Sequence, residues 1–373
     1  MRRHVPLLLL AALATTACAS TTGSCPDLLR PPKHPVRCAA PPSCLYPPYQ
    51  AEFPFHNLVL QGGGVKGIAY AGAFEQLQEK KILPQIERVA GTSAGAITAT
   101  LIALRYTPED IQNLILNDVQ FQRFEDGGAT GIFRLFRRFG WYKGDYFLHL
   151  MRCLIEAKTH QSITTFGDLP AQGFRDLHIF ATDLSTGQPM EFSAQKTPRV
   201  EVARAVRMSM SIPLFFASVD FDKDVFVDGG VLLNYPIDTF DKTGINPDTL
   251  GLSLSSGPPP RVDVDDLPRY GRQLFATLLD TQVVDLQTNP ADLERTVLIN
   301  DLGIPTTDFE LTDQQKCALI AQGYECTCRY LSDWKPAGTT PISNLGPLGR
   351  ATRIETAGKC GAAWSLPPPP PKP

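Results

Sequence analysis

From His56 onward the chain alternates between two hydrophobic rhythms. Short apolar runs bounded by glycine or polar turns read as strands: HNLVL at 56–60, ERVAG at 87–91, DLHIFATDL at 176–184 and LGLSLSS at 250–256. Between them lie longer stretches with helical spacing. In IAYAGAFEQLQEKK, Ile68, Ala71, Phe74 and Leu77 share one face. AGAITATLIALRY follows the second strand, and TPEDIQNLIL opens a third helix with Thr107 at the N-cap and Pro108 at the first helical position. VEVARAVRMSMSI reads as a helix stopped by Pro213, and LTDQQKCALIAQGYECTCRYLSDW as one late helix or a pair. FASVDF and VFVDGG read as a hairpin around Asp222-Lys223-Asp224. Strands alternating with helices predict an α/β domain of three layers, with a largely parallel central sheet and helices on both faces. Its expected extent is 54–335.

Both flanks lose this rhythm. Residues 19–53 carry most of the nine prolines found between Pro26 and Pro54, with Cys25, Cys38 and Cys44 interleaved. They read as an extended Pro/Cys-rich tether. Residues 336–373 read as a C-terminal tail ending in SLPPPPPKP. Residues 1–18 read as an export signal: Arg2 and Arg3, an apolar stretch from Val5 to Ala14, then small residues and Cys18. Cleavage before Cys18 would give a lipoprotein acylated on that cysteine. Cleavage after Ala-Cys-Ala would release a soluble exported protein, and an uncleaved segment would be an anchor. The stretch resembles a bacterial lipobox, although Thr15 stands where leucine is usual. The expected location is therefore outside the cytoplasm: an exported, membrane-anchored lipoprotein facing the periplasm or the cell exterior.

Composition narrows the chemistry. The net charge of −3 gives no reason to expect a nucleic-acid partner. Setting Cys18 aside leaves eight of nine cysteines, an even number that suits disulfides in an oxidising compartment. Cys153, in an apolar run, reads equally as a free core thiol. Cys326-Thr-Cys328 lacks the spacing of a zinc site.

Three motifs carry candidate chemistry. In LVLQGGGVKGIAYAG, Gly62, Gly63, Gly64 and Gly67 lie between a strand and a helix, where backbone N–H groups can approach a phosphate or a developing oxyanion. The loop is not a Walker loop, and it reads also as a tight turn without a ligand. Gly91-Thr92-Ser93-Ala94-Gly95 has the form of a nucleophile elbow. A serine needs a base, and histidine is poorly placed here. The six histidines are His4, His34, His56, His149, His160 and His178, and none follows His178, which itself reads as structural. A carboxylate is the remaining candidate. Asp228 ends the run VFV, and Gly229 and Gly230 free the backbone to turn after it.

In this order, GGGVKG, GTSAG and VDGGVLLNYP resemble the patatin-like phospholipase family, as do ATDLSTG, ARAVRMSMSIPLFF and TTDFELTDQQKCALIAQGYECT. Lys66 stands where that family usually has arginine, so it is given no direct role. The resemblance implies a serine acylhydrolase acting on phospholipid or lysophospholipid esters. Ser93 would be the nucleophile and Asp228 the general base and acid, with the oxyanion held by amides of Gly62, Gly63 and Gly64. Gly67, Gly91, Gly95, Gly229 and Gly230 would support the motifs, and no metal or cofactor is required. A general esterase or acyltransferase on the same dyad, or a catalytically silent lipid-binding envelope lipoprotein, are the other readings. GIFRLFRRFGWYKGDYF places Phe133, Phe136 and Phe139 three residues apart beside Arg134, Arg137 and Arg138. It reads as a lipid-facing rim with a membrane surface as partner, or as helix core with solvated charges.

Overall fold

The computed structural model describes residues 52–127, 130–254 and 263–334, together with Cys25, the stretch 35–39 and Arg261. Cys18, most of the tether and the C-terminal tail lie outside the described residues.

In chain order the elements that position the site are β1 (Asn57–Leu60), α1 (Tyr70–Glu79), β2 (Arg88–Thr92), α2 (Ala94–Ala103), α3 (Pro108–Asn113), α4 (Gly131–Arg138), β3 (Gly140–Tyr142) and α5 (Asp145–Thr159). They continue through β4 (Asp176–Asp183), β5 (Gln188–Phe192), α6 (Val202–Ser209), β6 (Leu214–Phe216), β7 (Val219–Phe221) and β8 (Asp224–Asp228). The last are β9 (Thr249–Leu254), α7 (Leu267–Thr288), β10 (Thr296–Ile299) and α8 (Asp313–Asp333). The expected hairpin is β7–β8, with Phe221 paired to Asp224. The late segment is one helix, α8, capped by Thr312, whose hydroxyl accepts from Gln315 N–H while the Gln315 side chain accepts from Thr312 N–H.

The main sheet has the order β10-β9-β1-β2-β4-β8-β7, with β5 pairing β4 off this path. From β10 to β4 all neighbours are parallel, and β5, β7 and β8 pair antiparallel. Strands β1 and β9 are buried at every position, as parallel strands covered on both faces should be. The predicted inner face of the first helix is buried throughout, but Ile68 belongs to a 3₁₀ turn over Gly64–Ala69 that precedes α1. Phe53 and Phe55 pack their rings against Trp334 at 5.3 and 5.6 Å, which joins the two ends of the folded unit.

The register of β4 brings two distant motifs together. Strand β2 pairs along Asp176–Phe180 and ends with Thr92 opposite Phe180. Strand β8 arrives antiparallel and pairs with Ala181–Asp183, its last residue Asp228 opposite Ala181. Since β5 holds the other edge of β4 over Ile179–Asp183, β2 and β8 share one edge end to end. The residues that follow Thr92 and close β8 must therefore meet.

The reading of Cys153 as a free core thiol is corrected. It is disulfide-bonded to Cys25, and Cys38 is bonded to Cys317. Cys326 and Cys328 are disulfide-bonded as well. The two described pieces of the tether are thus pinned to the α/β unit. Asn117 adds a hydrogen bond to each side of Val36, accepting from its N–H at 2.6 Å and donating to its carbonyl at 3.3 Å. Closing loops of 128 and 279 residues constrains the unfolded chain strongly, by roughly 5–6 kcal/mol each in the chain-entropy picture.

Candidate active site

Ser93 occupies the junction of β2 and α2 with φ 53° and ψ −121°, a backbone conformation that L-residues seldom adopt. Such strain costs about 1–3 kcal/mol and persists only where the surroundings enforce it. Two contacts do so here. The Ser93 N–H donates to Ser209 Oγ at 2.8 Å, and the Ser93 carbonyl accepts the first bond of α2 from Ile97 N–H at 3.1 Å. Ser209 in turn donates to the Phe180 carbonyl of β4 at 2.5 Å. The elbow also needs α2 to start hard against β1. A Cβ on Gly95 would stand 2.3 Å from the Leu60 carbonyl oxygen, so only glycine fits there.

The hydroxyl of Ser93 donates to Asp228 Oδ2 at 2.7 Å. The other carboxylate oxygen accepts from Gly230 N–H at 2.7 Å, through the turn that Gly229 and Gly230 make after β8. The Asp228 backbone N–H donates to the Ser211 carbonyl at 2.9 Å. The end of α6 and the residues just after it therefore hold both partners, Ser93 through Ser209 and Asp228 through Ser211. Asp228 is fully buried, and burial pushes its carboxyl up to about 7, against the opposing pull of the hydrogen bonds from Ser93 and Gly230.

The histidine question closes on contacts. His178 lies on β4 with Nδ1 2.9 Å from Glu191 and Nε2 3.2 Å from Asp176. Burial alone would lower its pKa, but the two carboxylates outweigh burial and raise it. Both ring nitrogens are thus committed away from Ser93.

The glycine loop lies on the other side of the serine. A Cβ on Gly62 would come 3.1 Å from Ser93 Cβ, which places this backbone beside Ser93. The Gly62 amide, expected among the oxyanion donors, is already spent: it donates to the Asn234 carbonyl at 3.0 Å. Asn234 Nδ2 returns a bond to the Gly62 carbonyl at 3.3 Å. The amides of Gly63 and Gly64 have no acceptor among the described residues. Gly64 has φ +56°, and a Cβ there would lie 2.0 Å from the Thr306 carbonyl oxygen. Lys66, one turn on, forms an ion pair with Asp301 at 2.6 Å, so it fastens the loop to the segment after β10.

Sequence reasoning missed the supporting residues. Gln282 of α7 donates to the Gly230 carbonyl at 2.7 Å and accepts from Asn234 N–H at 2.6 Å, bracing the Asp-Gly-Gly turn and the Gly62 partner together. Arg207 is buried on α6, donating to the carbonyls of Lys143, Gly144 and Ala217 and to Ser211 Oγ; burial lowers its pKa to about 10. The serines at 209 and 211 did carry a signal, being hydroxyls in an otherwise apolar helix end. Gln282 carried none. Among the described residues, the histidine–cysteine grouping close enough for a metal, Cys25, His149 and Cys153, has both sulfurs in the disulfide.

The patatin-like phospholipase profile matches residues 58–241, which include the glycine loop, Ser93 and Asp228. YqhO of Bacillus subtilis, which has no assigned activity, is 36% identical over 296 residues, spanning 74% of this chain and 98% of its own length. The chain belongs to the patatin-like phospholipase family. With that membership it belongs among lipid hydrolases. A cUMP-AMP-activated phospholipase of Escherichia coli is 26% identical over 298 residues, 71% of this chain and 83% of that protein. The crystal structure of VipD from Legionella pneumophila superposes with a TM-score of 0.51 at 19% identity, over 74% of this chain and 66% of VipD. That likeness concerns the patatin fold alone.

Proposed function

We propose that the protein is a serine acylhydrolase that cleaves acyl esters of phospholipids or lysophospholipids through a Ser93–Asp228 dyad. The observation that carries this reading is the 2.7 Å hydrogen bond from Ser93 Oγ to a buried carboxylate. Asp228 takes the hydroxyl proton as Ser93 attacks the ester carbonyl, then delivers it to the leaving alcohol. In the second half-reaction it draws a proton from the water that attacks the acyl-serine and returns it to Ser93 Oγ as the fatty acid leaves. A base with its pKa near neutrality suits this exchange at pH 7. The amides of Gly63 and Gly64, which have no acceptor among the described residues, are the loop donors left for the developing oxyanion, and donors of this kind are typically worth about 3–4 kcal/mol each. The Gly62 amide, engaged by Asn234, orients the loop instead.

Export and anchoring belong to the same reading. The charged and apolar N-terminal stretch, Cys18, and disulfides at Cys25–Cys153 and Cys38–Cys317 support an exported chain acylated at Cys18. Because Cys25 is pinned to α5, the tether cannot act as a long spacer. Only six residues lie between Cys18 and Cys25, seven Cα steps with an extended reach of about 25 Å.

Lipid profiling of products from wild type and Ser93→Ala tests the proposal. Release of free fatty acid from a phospholipid or lysophospholipid, absent in the variant, is the expected result. Hydrolysis of simple esters without any phospholipid turnover would favour the general esterase reading.

A further inference from the structure

Most exposed large apolar side chains collect on one face. Among the described residues twelve such side chains are exposed, and eight of them lie on or beside α4, β6, α7 and the turn after Asp228. On α4, Phe133 and Phe136 are 73% and 77% exposed. Phe139 follows at 57%, but with φ +57° it ends the helix, so it does not share the helical face expected from its spacing. The alternative reading of these rings as helix core is corrected by the same exposures. On α7, Tyr270, Leu274 and Leu278 recur every four residues and form an outward stripe, while Phe275 and Leu279 are buried on the inner side.

These patches are continuous with one another and with the dyad. Leu214 pairs with Gly140 and donates its N–H to the Phe139 carbonyl at 3.2 Å. Its side chain lies against Gly271 of α7. Further along α7, Leu279 lies against Gly230 and Gln282 bonds the same residue, two positions after Asp228. Leu232, 43% exposed, completes the face just past that turn.

The two helices of this face are basic where they carry the exposed apolar side chains. The sequence of α4 contains three arginines and no acid, and α7 has Arg269 and Arg272 but no acid before Asp280. Arg134 is used internally, donating to the carbonyls of Gly127 and Trp141, which removes it from the expected rim. Arg138 pairs with Asp220, and Arg269 with Asp265 and Asp266. Arg137 and Arg272 are exposed and form no ion pair among the described residues.

We propose that α4, β6 and α7 form one docking face that seats the protein on an anionic phospholipid bilayer, with Arg137 and Arg272 on lipid phosphates and the dyad opening at its edge. This rests on the phospholipid reading above and names the surface that meets the substrate in its aggregate form. Three observations choose lipid over a protein partner: unpaired arginines beside exposed aromatic and aliphatic tips, continuity with the dyad, and the short reach from Cys18. The disulfide to Cys153 lies eight residues along α5, about 12 Å from its start beside β3, so an acylated Cys18 holds this face within reach of the bilayer.

The test uses the full chain carrying Cys18→Ser, so that no acyl chain contributes, and vesicles of non-hydrolysable ether-linked phosphatidylglycerol and phosphatidylcholine. Phe136→Ser/Leu274→Ser/Leu278→Ser should weaken binding at least tenfold, and Arg137→Glu/Arg272→Glu should do so on phosphatidylglycerol-rich vesicles. Turnover of a soluble short-chain ester should stay within twofold of the parent in both, which shows that the variants fold. Vesicle affinity unchanged in both variants overturns the proposal. So does a self-associating parent made monomeric by the apolar substitutions, because the face would then cover a second copy. Binding is read without hydrolysis, so a failed dyad assignment would appear in the ester assay alone.

Discussion

The floor of the active site and the outer face of α4 and α7 invert the usual rule of burial in opposite ways. At the floor, polar groups are buried: Ser93, Asp228, Ser209, Asn234 and Arg207 lie inside, and each has a named partner. At the outer face, phenylalanines and leucines are exposed without apolar cover. The first exception costs folding energy unless every group is paired; the second costs little in the monomer but leaves apolar area facing water. The buried carboxylate follows from its position within the sheet, whereas the exposed face follows from the side chains carried on two helices.

Substitutions at the floor should act on chemistry. Ser93→Ala and Asp228→Asn should each lower ester turnover by about a thousandfold or more, with circular dichroism unchanged, and the double variant should lose little beyond either single one. Near wild-type turnover in Asp228→Asn would remove the dyad from consideration.

A second set of substitutions reaches the floor indirectly. Ser209→Ala removes the acceptor of the strained Ser93 N–H and should lower kcat by roughly tenfold to a hundredfold with a stability loss of about 1–3 kcal/mol. Gln282→Leu should give a smaller kcat loss, since the main chain of the Asp-Gly-Gly turn keeps its Gly230 bond to Asp228. Steady-state kinetics on a soluble ester beside thermal unfolding separates the two effects.

Stability offers a check that chemistry does not. A carboxyl with a raised folded-state pKa binds its proton more tightly in the folded protein than in the unfolded one. Its burial penalty is therefore absent below the unfolded value near 4, grows as pH rises through about 7, and is constant above. Asp228→Asn should relieve it, making the inactive variant more stable than wild type at pH 8 by up to about 4 kcal/mol, and not at pH 4. Chemical denaturation at the two pH values reads this directly. At the periphery, Cys25→Ser/Cys153→Ser should lower the unfolding free energy by about 2–5 kcal/mol while soluble-ester turnover holds.

Much of this arrangement is legible in the sequence. Alternating periods gave the parallel strands, and Gly-Thr-Ser-Ala-Gly gave the elbow because its glycines answer to a local need, the approach of α2 to β1. Asp228 was legible by its place at the end of VFV and by the want of a usable histidine. What stayed hidden was non-local. Nothing in the neighbourhood of Gly62 says that its amide is taken by Asn234, 172 residues on. Gln282 looks like an ordinary helix residue until α7 is laid over Gly230. Cys153 sits in an apolar run that suits a free thiol, and only the return of Cys25 to α5 shows otherwise. The exposure of Phe133 and Phe136 depends on which side of α4 the β3–β6 pair covers, a choice that helical spacing leaves open.

The dyad is tested most directly by the pH dependence of fluorophosphonate labelling, with the modified residue located by mass spectrometry. A single adduct on Ser93 is expected, forming at a rate that rises with pH through a midpoint near 7 and is reduced by orders of magnitude in Asp228→Asn. An adduct on another residue, or equal labelling rates in wild type and Asp228→Asn across the pH range, would contradict the assignment of Asp228 as the base of Ser93.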